Sequence, residues 1–304
     1  MLATVVKKPF DQPGWLYEEK YDGYRILAYR EDAKVTLLSR NDKDRTAAFS
    51  GIADAIRRLP SRTLLLDGEV VAFDKHKVSR FQLLQQGNVE PRYAAFDCLF
   101  KDGQDLRAEP LSLRRNALEK AIRSGERIFL SHRLAENGIA AFRIAKERGF
   151  EGLVAKDETS PYVEGRSRQW LKVKVHQEEE LVIGGYTAPE GARQHFGALL
   201  LGGYDHGRLH YVGKVGTGFS HRTLALLARA FKPLVRKVSP FIDPPREHRV
   251  IYIAPKLVAQ VAFEEWTEDR KLRQPVFLGL RDDKKPEECL LPDMISSPGT
   301  GPEA

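Results

Sequence analysis

Residues 15–29 read WLYEEKYDGYRILAY, and the architecture of the first half of the chain is clearest there. An apolar, strand-like run ends at Lys20, the dipeptide Asp22-Gly23 is a turn signal, and a second strand-like run follows. Arg25 stands five residues after the lysine. A lysine in this place is either an exposed residue beside a β-turn or a nucleophile held at the end of a strand.

A nucleophilic lysine requires a lowered pKa, and residues 170–175, WLKVKV, offer one cause. A free lysine has a pKa of about 10.4 and is protonated at pH 7. Apolar residues alternate with lysines in this segment, so Lys172 and Lys174 share one face of a strand. They form either a solvated strand face or a pair of cations that holds a phosphate and favours the neutral form of Lys20.

Carboxylates occur in two unusually apolar settings. Asp67 and Glu69 lie in LLLDGEVVAF, residues 64–73, and Glu151 lies in FEGLVAK, residues 150–156. A buried carboxylate is costly unless it is paired or bound to a metal ion. These residues are therefore either charges at hairpin edges or oxygen ligands for Mg²⁺, which takes one or two carboxylates together with phosphate oxygens.

Three further positions have a structural and a functional interpretation. Phe96 lies in a buried-strand pattern, YAAFDCLF, and is either a core residue or a ring on which a base stacks. Arg40, at a strand-to-loop junction, could reach a phosphate or a sugar. Residues 281–284, RDDK, follow an apolar run and would by themselves be a surface charge cluster.

The spacing of apolar residues predicts two domains that differ in their secondary structure. In the first half, strand patterns alternate with helical spacing, which indicates a mixed α/β or α+β domain. Predicted strands there are 15–17, 24–29, 35–38, 63–73 and 93–100, and predicted helices are 47–59, 113–124 and 139–148, the last ending at Gly149.

In the second half, short strands at close spacing and a single helix predict a small barrel such as the oligonucleotide-binding (OB) fold. The predicted strands are 181–186, 198–204, 209–214, 250–253 and 257–266, with a helix over 220–231. We expect a first domain over 1–177, a barrel over 178–295 and a disordered tail over 296–304, with the charged residues 176–180 as the hinge.

The composition is that of a globular protein and argues against a membrane-spanning or disulfide-rich one. The 304 residues are 42% hydrophobic and 30% charged, as in ordinary globular chains, and no uncharged apolar run is long enough for a membrane helix. Cys98 and Cys289, the 2 cysteines, form neither a disulfide framework nor a zinc site and fit a reducing cytosol.

The net charge of +7 hints at a polyanionic partner, and part of it is concentrated. Residues 206–242 contain no acidic residue. This basic segment is either a solvated face or a surface that contacts a phosphate backbone. Its expected DNA-binding residues are Arg208, Lys214, Arg222, Arg229, Lys232, Arg236 and Lys237.

Taken in order, these segments resemble a known set of motifs. KYDGYR, SRN, LDGEVVAFD, YAAFDCLF, EGLVAKD, WLKVKV and RDDK are similar to the successive motifs of the covalent nucleotidyltransferases, and within them to ATP-dependent DNA ligases. The opening residues and LRQPVFLGLRDDK, residues 272–284, resemble the ligase part of bacterial end-joining enzymes. The resemblance implies an α+β nucleotidyltransferase (adenylation) domain with antiparallel sheets and helices, followed by an all-β OB-fold barrel domain.

The resemblance also implies roles for individual residues. Lys20 matches the lysine that becomes adenylylated, Glu18 the residue that recognises the adenine amino group, and Phe96 the ring that stacks on adenine. The other matches concern ribose, phosphates and metal. They are Arg25 and Arg40 near the ribose and the bound 5′-phosphate, Glu69 and Glu151 at ribose and divalent metal, Lys172 and Lys174 at the α-phosphate, and Arg281, Asp283 and Lys284 at pyrophosphate.

The implied substrates are ATP and nicked duplex DNA, with Mg²⁺ as the metal and Mn²⁺ as its alternative. We expect a monomer in the bacterial cytosol and nucleoid, without a membrane partner. Whether other repair proteins bind it, and whether it is one module of a longer polypeptide, stays open. Two other functions remain: an RNA ligase or capping enzyme, which nucleotide preference would separate, and a non-catalytic nucleic-acid-binding scaffold, which would not need Lys20, Glu69, Glu151, Lys172 and Lys174 together.

Overall fold

The computed structural model describes residues 1–122, 125–175, 177–189, 195–247 and 249–291. It divides the chain into two units, Met1–His176 and Gln177–Ala304. The domain limits expected from the sequence stay predictions, and the expected tail over 296–304 lies outside the described residues.

The first unit combines short strands with four helices in its described part. Its strands are β1 (Leu2–Val5), β2 (Trp15–Lys20), β3 (Tyr24–Glu31), β4 (Lys34–Ser39), β5 (Thr63–Val71), β6 (Arg92–Lys101), β7 (Gln104–Asp105), β8 (Ile128–Leu130), β9 (Arg133–Ala135), β10 (Gly152–Asp157) and β11 (Arg166–Lys174). Its helices are α1 (Ser50–Arg57), α2 (Phe81–Gln86), α3 (Leu111–Ala121) and α4 (Gly138–Arg148).

These strands form two mainly antiparallel sheets. The first has the order β1-β11-β10-β2-β9, and the second has the order β4-β3-β5-β6-β7 with β8 beside β6. Only β1/β11 and β6/β8 are parallel pairs among the described strands of this unit. Helix α4 packs on the first sheet, where Tyr17, Leu153 and Val173 are buried, and α1 and α3 cover the second, where Ile26, Leu66 and Tyr93 are buried.

The chain passes from the first sheet to the second through the turn between Lys20 and Tyr24. The Phe81 backbone N–H donates to the Asp22 carboxylate at 3.0 Å, which fixes the turn against the start of α2. Gly23 is required there, because a Cβ atom would lie 2.2 Å from the carbonyl oxygen of Val70. The turn therefore connects the two sheets with almost no spare length.

The second unit is a strongly curved sheet with one α-helix among its described residues. Its strands are β12 (Gln177–Thr187), β13 (Leu199–Asp205), β14 (Arg208–Val215), β15 (Val235–Arg236), β16 (Val250–Phe263) and β17 (Val276–Leu280), its helix is α5 (His221–Phe231), and 3₁₀ turns cover Lys232–Leu234 and Pro286–Glu288. The order is β14-β13-β12-β16-β15, with β17 also beside β16. A bridge between Thr217 and Val276 brings the end of β14 to β17, so the sheet curls toward a barrel.

The structure corrects several predicted elements. The two strands expected over 250–253 and 257–266 are one 14-residue strand, β16, because both halves pair with β12 on either side of a bulge. Residues 177–180 belong to β12 rather than to a hinge loop, since they pair with β16. Helix α1 is shorter than the predicted 47–59, and α3 starts at Leu111 and ends at Ala121.

Candidate active site

The first sheet presents several of the predicted site residues in cross-strand rows. Lys20 on β2 lies opposite Gly152 on β10, which lies opposite Lys174 on β11. Directly opposed residues of antiparallel strands project to the same face. The sheet therefore places Lys20 and Lys174 on one face, with only a glycine between them.

The same face carries a second row, Glu18, Val154 and Lys172, because these residues lie two positions along from the first. The predicted alternation of Lys172 and Lys174 is thus present on β11. Val154 was not singled out from the sequence, where it is one apolar residue among several. Its position between Glu18 and Lys172 becomes visible only from the strand register.

Lys20 forms an ion pair with Glu151, the residue that directly precedes β10. The side chains of Lys20 and Glu151 are 17% and 10% exposed, so both are largely removed from water. Gly152 lets the strands approach closely, since a Cβ atom there would lie 2.1 Å from the carbonyl oxygen of Val173. The expected nucleophile and one of the expected metal ligands are therefore in direct contact.

Glu18 is buried and held by two cations from different elements. Lys156 Nζ lies 2.5 Å from Glu18 Oε2, and Arg115 on α3 forms an ion pair with Oε1. Burial by itself raises the pKa of a carboxyl group, but Lys156 and Arg115 outweigh burial and lower the pKa of Glu18. Sequence reasoning missed Arg115, which lies 97 residues from Glu18 in the chain.

Two aromatic rings, those of Phe96 and Trp170, lie beside Lys156. The Lys156 ammonium nitrogen lies 4.3 Å from the ring centroids of both Phe96 and Trp170, and the two rings meet edge to face at 5.9 Å. Phe96 is only half-buried, unlike its β6 neighbours Ala95 and Asp97. A partly exposed ring beside a fixed carboxylate is suited to stacking on a heterocyclic base.

On the second sheet, Arg25 makes a two-pronged contact with Asp67. Arg25 Nε lies 3.0 Å from Oδ1 and Nη2 lies 2.5 Å from Oδ2, and the Tyr162 hydroxyl also donates to Oδ2 at 2.8 Å. Burial raises the pKa of Asp67, but Arg25 outweighs it, so the pKa is lowered. The buried carboxylate that needed an explanation in the sequence is thus paired with an arginine.

Glu69 and Arg40 lie near Arg25 in the register of this sheet. Glu69 is half-buried and opposes Arg25 directly, and exposed Arg40 follows Ser39, which opposes Ile26. Arg25 also stands 5.5 Å from the centre of the Phe96 ring. Glu69, Arg25 and Arg40 therefore gather at one end of the second sheet.

No ready-made metal cage occurs in the residues that the structure describes, since no group of three or more His, Cys, Asp or Glu side chains could hold an ion. Mg²⁺ commonly binds through one or two carboxylates plus substrate phosphates and waters. The carboxylates of Glu69 and Glu151 fit the chemistry of such a site, in which phosphates and waters supply the other ligands.

In the second unit, the RDDK residues form a network at the end of β17. Arg281 donates to both carboxylate oxygens of Asp283 at 2.8 Å and to the Gln260 side chain at 3.1 Å. Glu180 on β12 lies 3.4 Å from Arg281 and 2.8 Å from the Lys284 ammonium. The two cations are therefore oriented together, and Glu180 was not identified from the sequence.

The basic segment, residues 206–242, covers β14, α5 and β15, and all seven of its expected DNA-binding side chains are exposed. Arg222 and Arg229 are two turns apart on α5 and share a helix face, opposite the buried Leu224 and Leu227. Lys214 pairs with Glu247 at 2.7 Å, which reduces its availability. The segment thus presents cations to solvent around one amphipathic helix.

Comparisons with known proteins agree on one family. Residues 1–174 match the family model described as "ATP dependent DNA ligase domain", and residues 192–284 match "ATP dependent DNA ligase C terminal region". A solved structure titled "mycobacterial DNA ligase D complexed with ATP and MES" is 34% identical, covers 96% of this chain and 97% of that chain, and superimposes with a TM-score of 0.71.

Two curated relatives show the same likeness over part of their length. The "Multifunctional non-homologous end joining protein LigD" of Pseudomonas aeruginosa is 37% identical over 94% of this chain and 36% of that protein. A "DNA ligase" of Thermococcus fumicolans is 34% identical over 92% of this chain and 54% of that protein. The chain thus spans about a third to a half of the length of these relatives.

Proposed function

This chain belongs to the ATP-dependent DNA ligase family, and from that premise we propose that it seals 5′-phosphate/3′-hydroxyl nicks in duplex DNA through an AMP adduct on Lys20. The observation that carries the proposal is the position of Lys20. It ends a strand, contacts Glu151 and faces Lys174 across a glycine. Such a lysine is placed to act on a phosphate that the neighbouring cations attract.

In the first step, the Lys20 amine attacks the α-phosphorus of ATP, a P–N bond forms, and pyrophosphate leaves. The amine must first release a proton to solvent. The ion pair with Glu151 favours the protonated amine, whereas the positive charge of Lys174 in the same row opposes it. Lys172 and Lys174 bind the α-phosphate oxygens from β11. Phosphoryl transfer depends chiefly on positioning and charge neutralisation, which this row of cations supplies.

In the second step, AMP passes from Lys20 to the 5′-phosphate of DNA, and the lysine regains its amine. In the third step, the 3′-hydroxyl attacks that phosphate and AMP leaves, so that the phosphodiester bond is formed. Glu69 and Glu151 would hold Mg²⁺ together with phosphate oxygens. The metal ion, when bound, neutralises phosphate charge during transfer.

The remaining residues of the first unit bind the nucleoside. Phe96 stacks on adenine, Val154 contacts its other side, and Glu18 accepts a hydrogen bond from the adenine amino group. Arg25 and Arg40 lie at the ribose and the DNA 5′-phosphate. This assignment is supported by the shared face of Glu18, Val154 and Lys20 and by the half-exposed Phe96 ring.

The second unit acts on pyrophosphate and on DNA. Arg281 and Lys284 orient pyrophosphate in the first step, and the basic segment contacts the phosphate backbone of the duplex. The name of the Pseudomonas aeruginosa relative, a protein of non-homologous end joining, supports a role for this activity in DNA end joining. The chain acts in this proposal as a monomer on bacterial DNA in the cytoplasm. None of the described helices has both the length and the apolar character of a membrane span.

Intact-protein mass spectrometry after incubation with ATP and Mg²⁺ tests the proposal directly. We expect a gain of one AMP with ATP but not with GTP, and its absence in Lys20→Ala. Lys34→Ala, at an exposed lysine that begins β4, is the matched control and should be labelled normally. An enzyme purified in the charged form would lose AMP on addition of pyrophosphate, and no mass change in either direction would overturn the proposal.

A further inference from the structure

Glu18 is fixed more firmly than hydrogen bonding to a base requires. The residue is 1% exposed, and its two oxygens have separate cationic partners, Arg115 on α3 and Lys156 on β10. Arg115 is itself anchored, since its Nη2 donates to the Ser131 carbonyl oxygen at 2.9 Å. Lys156 is anchored between the Phe96 and Trp170 rings.

Protonation decides which base such a carboxyl group can recognise. An ionised carboxylate only accepts hydrogen bonds, whereas the neutral acid also donates one. Adenine presents an amino donor at the 6 position, and guanine presents a carbonyl acceptor there. An ionised Glu18 therefore suits adenine and repels guanine, whereas a neutral Glu18 could donate to guanine.

Burial alone would favour the neutral acid. Among the residues that the structure describes, Lys156 and Arg115 oppose this tendency for Glu18, and its pKa is lowered as a result. We propose that Arg115 and Lys156 are positioning residues that set the base selectivity of the nucleotide pocket by holding Glu18 as an acceptor alone. The inference rests on the proposed function, because it assigns a selectivity to that same pocket.

Arg115 is the better residue to test. Its side chain is 15% exposed, and it approaches Glu18 from a helix rather than from the sheet that carries Lys20. Replacement of Lys156 would also remove the cation that lies against Phe96 and Trp170 and would disturb stacking directly. Arg115→Met removes the charge at similar length, and Arg115→Lys restores a charge.

The experiment measures single-turnover self-adenylylation with ATP and with purine riboside triphosphate, which lacks the 6-amino group. We expect wild type to use ATP at least tenfold more efficiently and Arg115→Met to lose most of that preference. The loss should appear as a higher KM for ATP with little change in the maximal rate. Arg115→Lys should recover part of the preference, and GTP labelling relative to ATP should rise in the Met variant.

Lys120→Met is the matched control, since Lys120 is an exposed cation on the same helix. It should leave the preference for ATP unchanged. Equal slowing of both nucleotides in Arg115→Met would show a merely structural role and would overturn the inference. If Arg115→Met unfolds, a normal ATP preference in Arg115→Gln would overturn it instead. Failure of wild type to label with any triphosphate would overturn the proposed function itself.

Discussion

Glu18 and Glu19 are sequence neighbours with opposite surroundings. Strand alternation turns Glu18 toward Arg115 and Lys156, whereas Glu19 projects to the other face of the sheet. Glu19 is 6% exposed, and its Oε1 has no hydrogen-bond partner among the described residues. Burial raises the pKa of Glu19 to about 8, with Arg148 opposing the shift.

Glu19→Gln should stabilise the protein at pH 8 and leave it nearly unchanged at pH 4.5. Between these values the unfolded state ionises Glu19 while the folded state keeps its proton, so the stability of wild type falls as pH rises toward the folded pKa of about 8. The gain should reach about 3–5 kcal/mol at pH 8. Urea unfolding at both pH values measures it.

The exposed Glu31 on β3 offers a control, because Glu31→Gln should change the free energy of unfolding little at either pH. A gain from Glu19→Gln that is equal at pH 4.5 and pH 8 would contradict the explanation by burial.

At the scale of elements, the sequence is informative where the pattern is local. The strand patterns over 24–29 and 93–100 and the helix over 139–148 are all present in the structure, because alternation and helical spacing report burial directly. The short β8 and β9 have too few residues for a pattern. The continuity of β16 depends on its pairing with β12, which local spacing does not encode.

Gly149 ends α4 in the left-handed region, with φ of 70°. An alanine there is strained, so Gly149→Ala should reduce the free energy of unfolding by about 1 kcal/mol. Chemical denaturation measures this change, and self-adenylylation should be unaffected. Gly125→Ala is a matched control, because Gly125 has no left-handed backbone and no atom near the position that a Cβ would take, and it should lower the free energy of unfolding less. An equal loss of stability at both positions would contradict left-handed strain at Gly149 as the cause.

The network at the end of β17 predicts a difference between reaction steps. Arg281→Ala should reduce self-adenylylation at least tenfold, because pyrophosphate is oriented only in the first step. Sealing of nicked DNA by enzyme that already carries AMP should be reduced much less. Rapid-quench assays of each step measure the two effects, and Arg273→Ala, at an exposed arginine of the same unit, is the control. Equal losses in both assays would refute a role of Arg281 that is confined to the first step.

At the scale of the whole molecule, each unit brings together residues that are far apart in the chain. The motifs could be identified as separate segments, and their residue types indicated phosphate chemistry. The contact between Arg115 and Glu18 spans 97 residues within the first unit, and the roles proposed for Val154 in the first unit and Glu180 in the second depend on strand register or side-chain contact. Such pairings depend on the assembled sheets and have no signature in one sequence.

Binding of nicked duplex DNA should depend steeply on salt. Six of the seven basic side chains in residues 206–242 form no ion pair with a described residue, so we expect a slope of about −5 for the logarithm of the binding constant against that of salt concentration. Joint substitution Arg222→Gln and Arg229→Gln should make the slope shallower by about 2. Fluorescence anisotropy of a labelled, nicked duplex at several salt concentrations measures this slope.

Self-adenylylation without DNA is the control for that double substitution, and its rate should not change. A salt response that is flat, or that is the same in wild type and variant, would argue against the basic segment as the DNA contact.

The turn between Lys20 and Tyr24 also limits how the length of the chain can vary. Gly23 packs closely against the Val70 carbonyl oxygen, and the Asp22 carboxylate accepts a hydrogen bond from the Phe81 backbone N–H. An inserted residue would therefore have no space within the turn. Insertions are tolerated at open loop tips, but here one would displace Lys20 and the first sheet relative to the second sheet. We therefore expect active homologues and engineered variants to keep the number of residues in this turn fixed.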